Sequence, residues 1–561
     1  MSGEGGGPLI VQSDKTLLLE VCHPDAPACR VAIAPFAELE RSPEHVHTYR
    51  VTPLALWNAS AAGHDAEQVV DALVRWSRFP VPQALLVDVA DLMARYGRLV
   101  LEAAPDGSLV LRAADPDGLA VLEEVTRNRH VTPLLDRRTG PWSWAVRPGE
   151  RGRLKQALVK AGWPADDRAG HAPGEPFAVA LDLAGRAGSG PWTVRDYQAQ
   201  AVDGFFAGGS GVVVLPCGAG KTIVGAAALA RASATTLVLA TNTVAARQWR
   251  RELLARTSLC EEDIGEYSGQ RKEIRPVTIA TYQVLVTRRK GAYAHLDLFS
   301  ARDWGLVIYD EVHLLPAPVF RMTAEIQSRR RLGLTATLVR EDGREADVFS
   351  LIGPKRFDTP WREMEAQGWI APAVCQEVRV TLTSGERMAY ATADADERYR
   401  VAATAASKLP VVDALVARHR GEPTLVVGVY LDQLEALAGR LGAPLITGET
   451  PVGERERLYE AFRAGEVRLL VVSKVANFSV DLPEAAVAVQ VAGTFGSRQE
   501  EAQRLGRILR PKAGGGQAVF YTVVARDTND ADFAAHRQRF LAEQGYAYEI
   551  CDAEAVLAGE H

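Results

Sequence analysis

Leu215-Pro216-Cys217-Gly218-Ala219-Gly220-Lys221-Thr222 (LPCGAGKT) is the stretch on which the reading of this chain turns. It follows the β-branched run Gly211-Val212-Val213-Val214 and precedes the Ala-rich segment IVGAAALARA at 223–232. A strand, a glycine loop and a helix in that order are the setting of a phosphate-binding loop. Gly218 and Gly220 let the backbone turn its N–H groups inward, together with those of Cys217 and Ala219. Pro216 opens the turn, and the helix presents its positive amino end to the same anion. Lys221 offers a point charge to the terminal phosphates of a nucleotide, and the Thr222 hydroxyl can ligate Mg²⁺. The general motif begins with Gly, where this chain has Leu215.

Asp310-Glu311-Val312-His313 closes a second apolar run, Gly305-Leu306-Val307-Ile308-Tyr309. Its carboxylates therefore emerge at the carboxyl end of a strand, where open parallel sheets bind ligands. Asp310 is expected to hold Mg²⁺ through water, and Glu311 to orient and deprotonate an attacking water.

Working outward, GVVVLPC, TTLVLAT, VTIATYQ, WGLVIYDEVH and RLGLTAT alternate with helical stretches. They are apolar throughout, as strands covered on both faces are. The alternation resumes after about residue 372 with TLVVGVY, PLIT, VRLLVVS, AAVAVQVAG and QAVFYTVVA. The fold expected is α/β, with tandem parallel-sheet domains at 191–365 and 366–550 and a tail at 551–561. An α+β region at 1–110 precedes them. There AEQVVDALVRWSRF and LLVDVADLMARYG read as amphipathic helices before a hairpin turning at Pro105-Asp106-Gly107. Two helices and a hairpin also suit a winged-helix module. Residues 111–190 hold Trp142, Trp144, Trp163 and a Gly- and Pro-rich linker.

Composition narrows the function classes. A chain of 561 residues that is 47% hydrophobic and 24% charged is neither disordered, fibrous nor a small disulfide scaffold. Lys+Arg 64 against Asp+Glu 70 leaves a net charge of -6, so contact with nucleic acid must be a local stripe. Arg288-Arg289-Lys290 and Arg329-Arg330-Arg331 are candidates for it. The six cysteines show no paired spacing, and Cys22, His23, Cys29, His45 and His47 fit no zinc module. No signal-peptide pattern and no long apolar window is present, so a soluble cytoplasmic protein is expected.

The two motifs, in this order and context, resemble those of superfamily 2 helicases, which implies RecA-like lobes. Tyr197-Gln198 ahead of the loop resembles the adenine-reading glutamine motif. Thr335-Ala336-Thr337 resembles the motif coupling hydrolysis to strand movement. Gln503-Arg504-Leu505-Gly506-Arg507-Ile508-Leu509-Arg510 matches QxxGRxxR, which implies Arg507 and Arg510 as arginine fingers and Gln503 as a coupling residue. Asp481 resembles the nucleotide-positioning acid of motif V, although Ser479 stands where Gly is common. Arg340-Glu341-Asp342, with LPCGAGKT, DEVH and EEAQRLGRILRPK, matches the RED motif and wording of the XPB branch. The amino-terminal part is similar to that of actinobacterial XPB proteins, and the region 111–190 resembles the family's damage-recognition domain followed by a linker.

The resemblance covers about 195–550 with specific motifs. It implies an ATP-dependent DNA helicase or translocase of 3′→5′ polarity, linked to nucleotide excision repair at the bacterial nucleoid. DNA would be its partner, bound through the backbone whatever the sequence, and a nuclease or other repair protein a further one. Candidate DNA contacts are Thr241, Gln248, Thr281 and Gln283 on the first lobe, and Tyr430, Ser473 and Lys474 on the second. Trp249 reads as a core residue. A duplex translocase, an ATP-dependent switch and an RNA helicase stay open as alternatives.

Overall fold

The computed structural model describes residues 6–41, 45–171, 173–184, 191–216, 218–289, 292–293, 295–315, 319, 329–336, 345–359, 373–473, 485–493, 518–535 and 548–559. The strands around the glycine loop form one seven-stranded sheet. Its order is Ile264–Tyr267, Val277–Thr281, Thr236–Ala240, Leu306–Asp310, Arg330–Thr335, Gly211–Val214, Lys355–Asp358. Every pairing is parallel. Alternate residues feed two apolar clusters: Val213, Val238 and Ile308 enter one, Val212, Leu237 and Val307 the other. Successive side chains of a strand point to opposite faces, so these runs read as apolar throughout.

This strand order positions the site. The loop-bearing strand lies beside Arg330–Thr335, and Leu306–Asp310 is next beyond. Val214 pairs with Thr335, Asp310 pairs with Leu334, and Leu215 N–H donates to Thr335 O at 2.9 Å. Three neighbouring carboxyl ends thus bring loop, carboxylates and hydroxyl to one rim.

The second lobe repeats the plan in seven parallel strands. Their order is Leu445–Ile446, Leu469–Ser473, Thr424–Gly428, Val487–Gln490, Ala518–Ala525, Ala373–Val380, Tyr548–Asp552. Both lobes are RecA-like. The strand Tyr548–Asp552 and the helix Ala553–Ala558 pack on this sheet and its apolar cluster, so the expected tail from 551 is part of the lobe.

The amino-terminal region is α+β, built on two sheets. A four-stranded antiparallel sheet runs Leu9–Val11, Thr16–Glu20, Val46–Arg50, Glu38–Arg41. The amphipathic helices Ala66–Trp76 and Gln83–Arg95 pack Leu73 and Val89 into its core. The expected hairpin, Leu99–Ala103 with Leu109–Ala113, lies inside a second, five-stranded sheet with Ser143–Val146 and Ala165–Asp167 on its flanks. It is therefore a sheet centre rather than an exposed wing, and a boundary at residue 110 would cut it.

Both amino-terminal sheets are tied to the first lobe. Asn58 Oδ1 accepts from Lys355 N–H at 3.2 Å, and Arg356 Nη1 donates to Ala61 O at 3.0 Å. Gln156 Nε2 donates to Asp347 Oδ1 at 2.9 Å, and Tyr96 meets Phe349 edge-on. Arg356 also donates to Ser210 O, at the root of the loop-bearing strand. Among the described residues no helix is long and apolar enough to cross a membrane.

Candidate active site

The glycine loop has the backbone its sequence calls for. Gly218 and Gly220 lie at φ +84° and +78°, the left-handed region that a residue with a Cβ enters only with strain. Gly220 is also a close approach, since a Cβ there would stand 2.6 Å from Gln198 Nε2. The helix Lys221–Ala232 starts immediately after it. Pro216 and Ala219 are buried, whereas Gly218 is exposed and Thr222 partly so.

Gln198 does not stand open to a base. Its Nε2 donates to Ala219 O at 3.0 Å and its Oε1 accepts from Arg195 N–H at 3.0 Å. Tyr197 OH donates to the same Ala219 carbonyl at 2.8 Å. The pair braces the phosphate loop from the helix Asp196–Gly208. Gln198 Nε2 also donates to Tyr197 OH at 3.4 Å, so both amide hydrogens already have partners.

The carboxylates emerge where the strand pattern puts them. Glu311 leaves its strand at φ +50°, ψ +58°, a left-handed conformation uncommon outside glycine and frequent at functional sites. That turn sends its side chain back over the loop, 3.1 Å from Lys221 Nζ. Burial works against the Glu311 charge. The Lys221 ammonium, His313 and a hydrogen bond from the Ala336 backbone outweigh it and hold the carboxyl below its ordinary range. Asp310 moves the other way. Burial and the adjacent Glu311 charge push it up to about 6, against the Trp249 N–H and Lys221. Neighbouring carboxyls with opposite displacements are a mark of an acid–base site.

Thr335 is buried, and its Oγ1 lies 2.6 Å from His313 Nδ1 in a hydrogen bond. His313 Nδ1 is in turn 3.6 Å from Glu311. Thr335 and Ala336 thus reach Glu311 through one histidine and one backbone N–H. Sequence reading missed the Trp249 contact: its indole Nε1 donates to Asp310 Oδ2 at 3.0 Å. Trp249 is a core residue, as read, but one with a polar end at the site.

Hard oxygen donors, the Thr222 hydroxyl and the Asp310 carboxylate, are the donor set that Mg²⁺ takes. A carboxyl pushed up by burial and a like charge is one that a cation would stabilise in its ionised form. The residues present fit the ion.

Comparison with known proteins places this site in a family. Residues 364–559 match the family model for the ERCC3/RAD25/XPB C-terminal helicase. Residues 192–340 match that for the type III restriction enzyme res subunit, and residues 9–140 a helicase conserved C-terminal domain. The DNA 3'-5' helicase XPB of Kineococcus radiotolerans is 70% identical over 553 residues, covering 99% of this chain and 98% of that protein. The chain belongs to the XPB helicase family. The Mycobacterium tuberculosis protein of the same name is 68% identical, covering 98% and 99%. More distant is an XPB subunit of the general transcription and DNA repair factor IIH of Antonospora locustae, named a helicase/translocase subunit. It is 32% identical over 97% of this chain and 82% of its own length.

XPB-type DNA contacts expected from sequence divide when their burial is read. Gln283 is exposed, and Thr241, Gln248 and Tyr430 are partly so. Tyr430 stands beside Tyr399 with the Arg400 guanidinium over its ring. Thr281 and Ser473 are both 1% exposed, which corrects their reading as direct backbone contacts. Each is the last residue of its strand, and its side chain falls to the packed face. The positive stripe is also reduced. Arg331 is 1% exposed, Arg329 pairs with Asp303, and Arg330 lies over Phe206. Arg288 remains exposed on a short two-stranded ribbon with Ala292–Tyr293. Cys217, Thr337, Arg340, Glu341, Asp342, Lys474, Asp481, Gln503, Arg507 and Arg510 lie outside the described residues.

Proposed function

We propose that this protein is an ATP-dependent DNA helicase of 3′→5′ polarity acting in DNA repair. Lys221, Glu311, His313, Thr335 and the glycine loop form its hydrolytic centre. The single observation that carries the reading is the Lys221–Glu311 contact at 3.1 Å, on a rim built from three adjacent strand ends. An ammonium and a carboxylate in contact at the glycine loop support the roles of phosphate-binding cation and water-activating base.

Phosphates arriving at the loop compete with Glu311 for the Lys221 ammonium. Glu311, freed from that pair and kept ionised, takes the proton from the attacking water. Thr222 and Asp310 would hold Mg²⁺, whose charge would neutralise that developing on the phosphates. Arg507 and Arg510 enter from the second lobe, and an arginine finger is worth roughly 10³–10⁵ in phosphoryl-transfer rate. Hydrolysis therefore waits for lobe closure. Arg340, Glu341 and Asp342 help part the strands, while Asp481 and Gln503 link nucleotide to movement. The protein domains follow the sheets, with 1–190 as amino-terminal modules beside the motor.

DNA is gripped by its backbone, through Gln248, Gln283, Thr241, Tyr430 and Lys474. A nuclease or another repair protein is the fitting partner for an opened duplex, and the bacterial cytoplasm at the nucleoid is the place of action. Duplex translocation without strand separation is the second reading, favoured by the helicase/translocase naming of the Antonospora relative.

ATP hydrolysis measured with single-stranded DNA, RNA and forked duplex separates these classes. Stimulation by forked DNA, with displacement of a strand from a 3′-tailed fork, is the expected result. Stimulation by RNA alone would overturn it. Triplex displacement without strand separation would leave only the translocase reading.

A further inference from the structure

Asp310 is gripped from two sides by the elements that face DNA in the reading above. The helix Thr243–Arg256 sends in Trp249, whose Nε1 donates to Asp310 Oδ2 at 3.0 Å. The turn Tyr282–Leu285 sends in Tyr282, whose OH donates to the Asp310 backbone oxygen at 2.8 Å. Both rings are buried, at 2% and 4% exposure. Each has an outward amide as its sequence neighbour: Gln248, partly exposed, precedes Trp249, and Gln283, exposed, follows Tyr282. In both elements adjacent residues therefore face solvent and the nucleotide site.

The seat of Trp249 is built for it. An added Cβ on Gly225, in the helix that follows the glycine loop, would stand 2.3 Å from the indole Cη2. Gly225 leaves room for the ring to lie against that helix, with Leu334 of the Thr335 strand also close to the same point. One indole joins the glycine-loop helix, the DNA-facing helix and the carboxylate.

We infer that Trp249 is a positioning residue that, with Tyr282, transmits DNA engagement on the first lobe to Asp310. Movement of the helix Thr243–Arg256 on a DNA backbone redirects the Asp310 carboxylate through the Trp249 hydrogen bond, and movement of the Tyr282 turn shifts the Asp310 backbone through its own. The nucleotide site thereby senses DNA before the second lobe closes. The inference rests on the helicase reading.

Its test is an equilibrium one that needs no turnover. Binding of a non-hydrolysable ATP analogue with Mg²⁺ is measured with and without forked DNA, for the wild type, Trp249→Phe and Tyr282→Phe. The wild type should show a DNA-induced affinity change of at least about fivefold, the low end of ordinary coupling. Trp249→Phe should bring that ratio close to one, the ratio for each variant being taken against its own DNA-free analogue affinity and read at a temperature below its own melting point. Tyr282→Phe, which deletes one oxygen and leaves the ring, should reduce it in part and serves if the Trp249 variant does not fold. Absence of coupling in the wild type would overturn the transmission, and DNA-stimulated hydrolysis by the same protein would leave the helicase reading standing. Wild-type coupling retained in full by folded variants would overturn the role of Trp249 alone.

Discussion

Glu311 holds a backbone conformation that costs an ordinary residue about 1–3 kcal/mol, and the surrounding hydrogen bonds keep it there. Its position over the loop gives two substitutions distinct outcomes. Glu311→Gln keeps shape and loses the base, so DNA-stimulated hydrolysis should fall by about 10²–10⁴, the usual range for a general base, while nucleotide binding persists. Lys221→Ala removes the phosphate cation and should abolish hydrolysis together with much of the nucleotide affinity. Steady-state phosphate release and equilibrium nucleotide binding, measured side by side, check both. Lys221, Asp310 and Glu311 were legible because glycines after a strand and carboxylates ending another are local patterns. The Trp249 contact was not, because an aromatic in a helix reads the same whether its N–H meets a carboxylate or nothing.

At the scale of elements, one buried ion pair stitches the second lobe. Lys408 Nζ lies 2.7 Å from Asp530 Oδ2, with both side chains essentially unexposed, and donates to Val491 O at 3.0 Å. It joins the start of the helix Leu409–Arg418 to the segments after Val487–Gln490 and Ala518–Ala525. Breaking such a pair from one side leaves a charge uncompensated, so Lys408→Met should destabilise the lobe by about 3–5 kcal/mol, read as a lowered urea midpoint. In the amino-terminal sheet, burial and then the Arg30 charge hold His47 down at about 4, against an ordinary 6.5. The folded state thus resists a proton that the unfolded chain accepts. That contribution to stability is complete above about pH 6.5 and is lost as pH falls toward 4, by about 3 kcal/mol in total. Urea titrations of the wild type and His47→Leu at pH 7 and pH 5 should show the wild type losing more stability on acidification. Lys408 did not stand out in the sequence, and His47 drew notice only among cysteines and histidines that fit no zinc module, since a lysine before a helix and a histidine in a strand are ordinary surface residues.

At the scale of the whole molecule, net negative charge and the proposed grip on the DNA backbone set the expected DNA response. Affinity should fall steeply and linearly on a log–log plot against salt, with little preference among sequences of equal form. Fluorescence anisotropy at several salt concentrations checks this, and a flat response would mean that DNA is not held through its phosphates. The amino-terminal modules belong to the same scale. They dock on Lys355–Asp358, the edge strand beside the glycine-loop strand, through Asn58 and Ala61, and on the helix Glu345–Leu351 through Gln156. That edge strand, KRFD, is short and polar and gave no β signal, and its partners lie far away in the chain.

Phosphate loop, carboxylate pair and tandem parallel sheets were determined by the sequence itself. Each depends on residues within a few positions of one another, where backbone freedom, helix polarity and apolar runs act locally. Only the tertiary structure decided that Gln198 braces the loop, that Thr281, Ser473 and Arg331 face inward, and that Trp249 and Tyr282 meet at Asp310. Those outcomes depend on strand order and on which face a side chain packs against. Both are fixed by contacts between segments far apart in the chain, which no local pattern records.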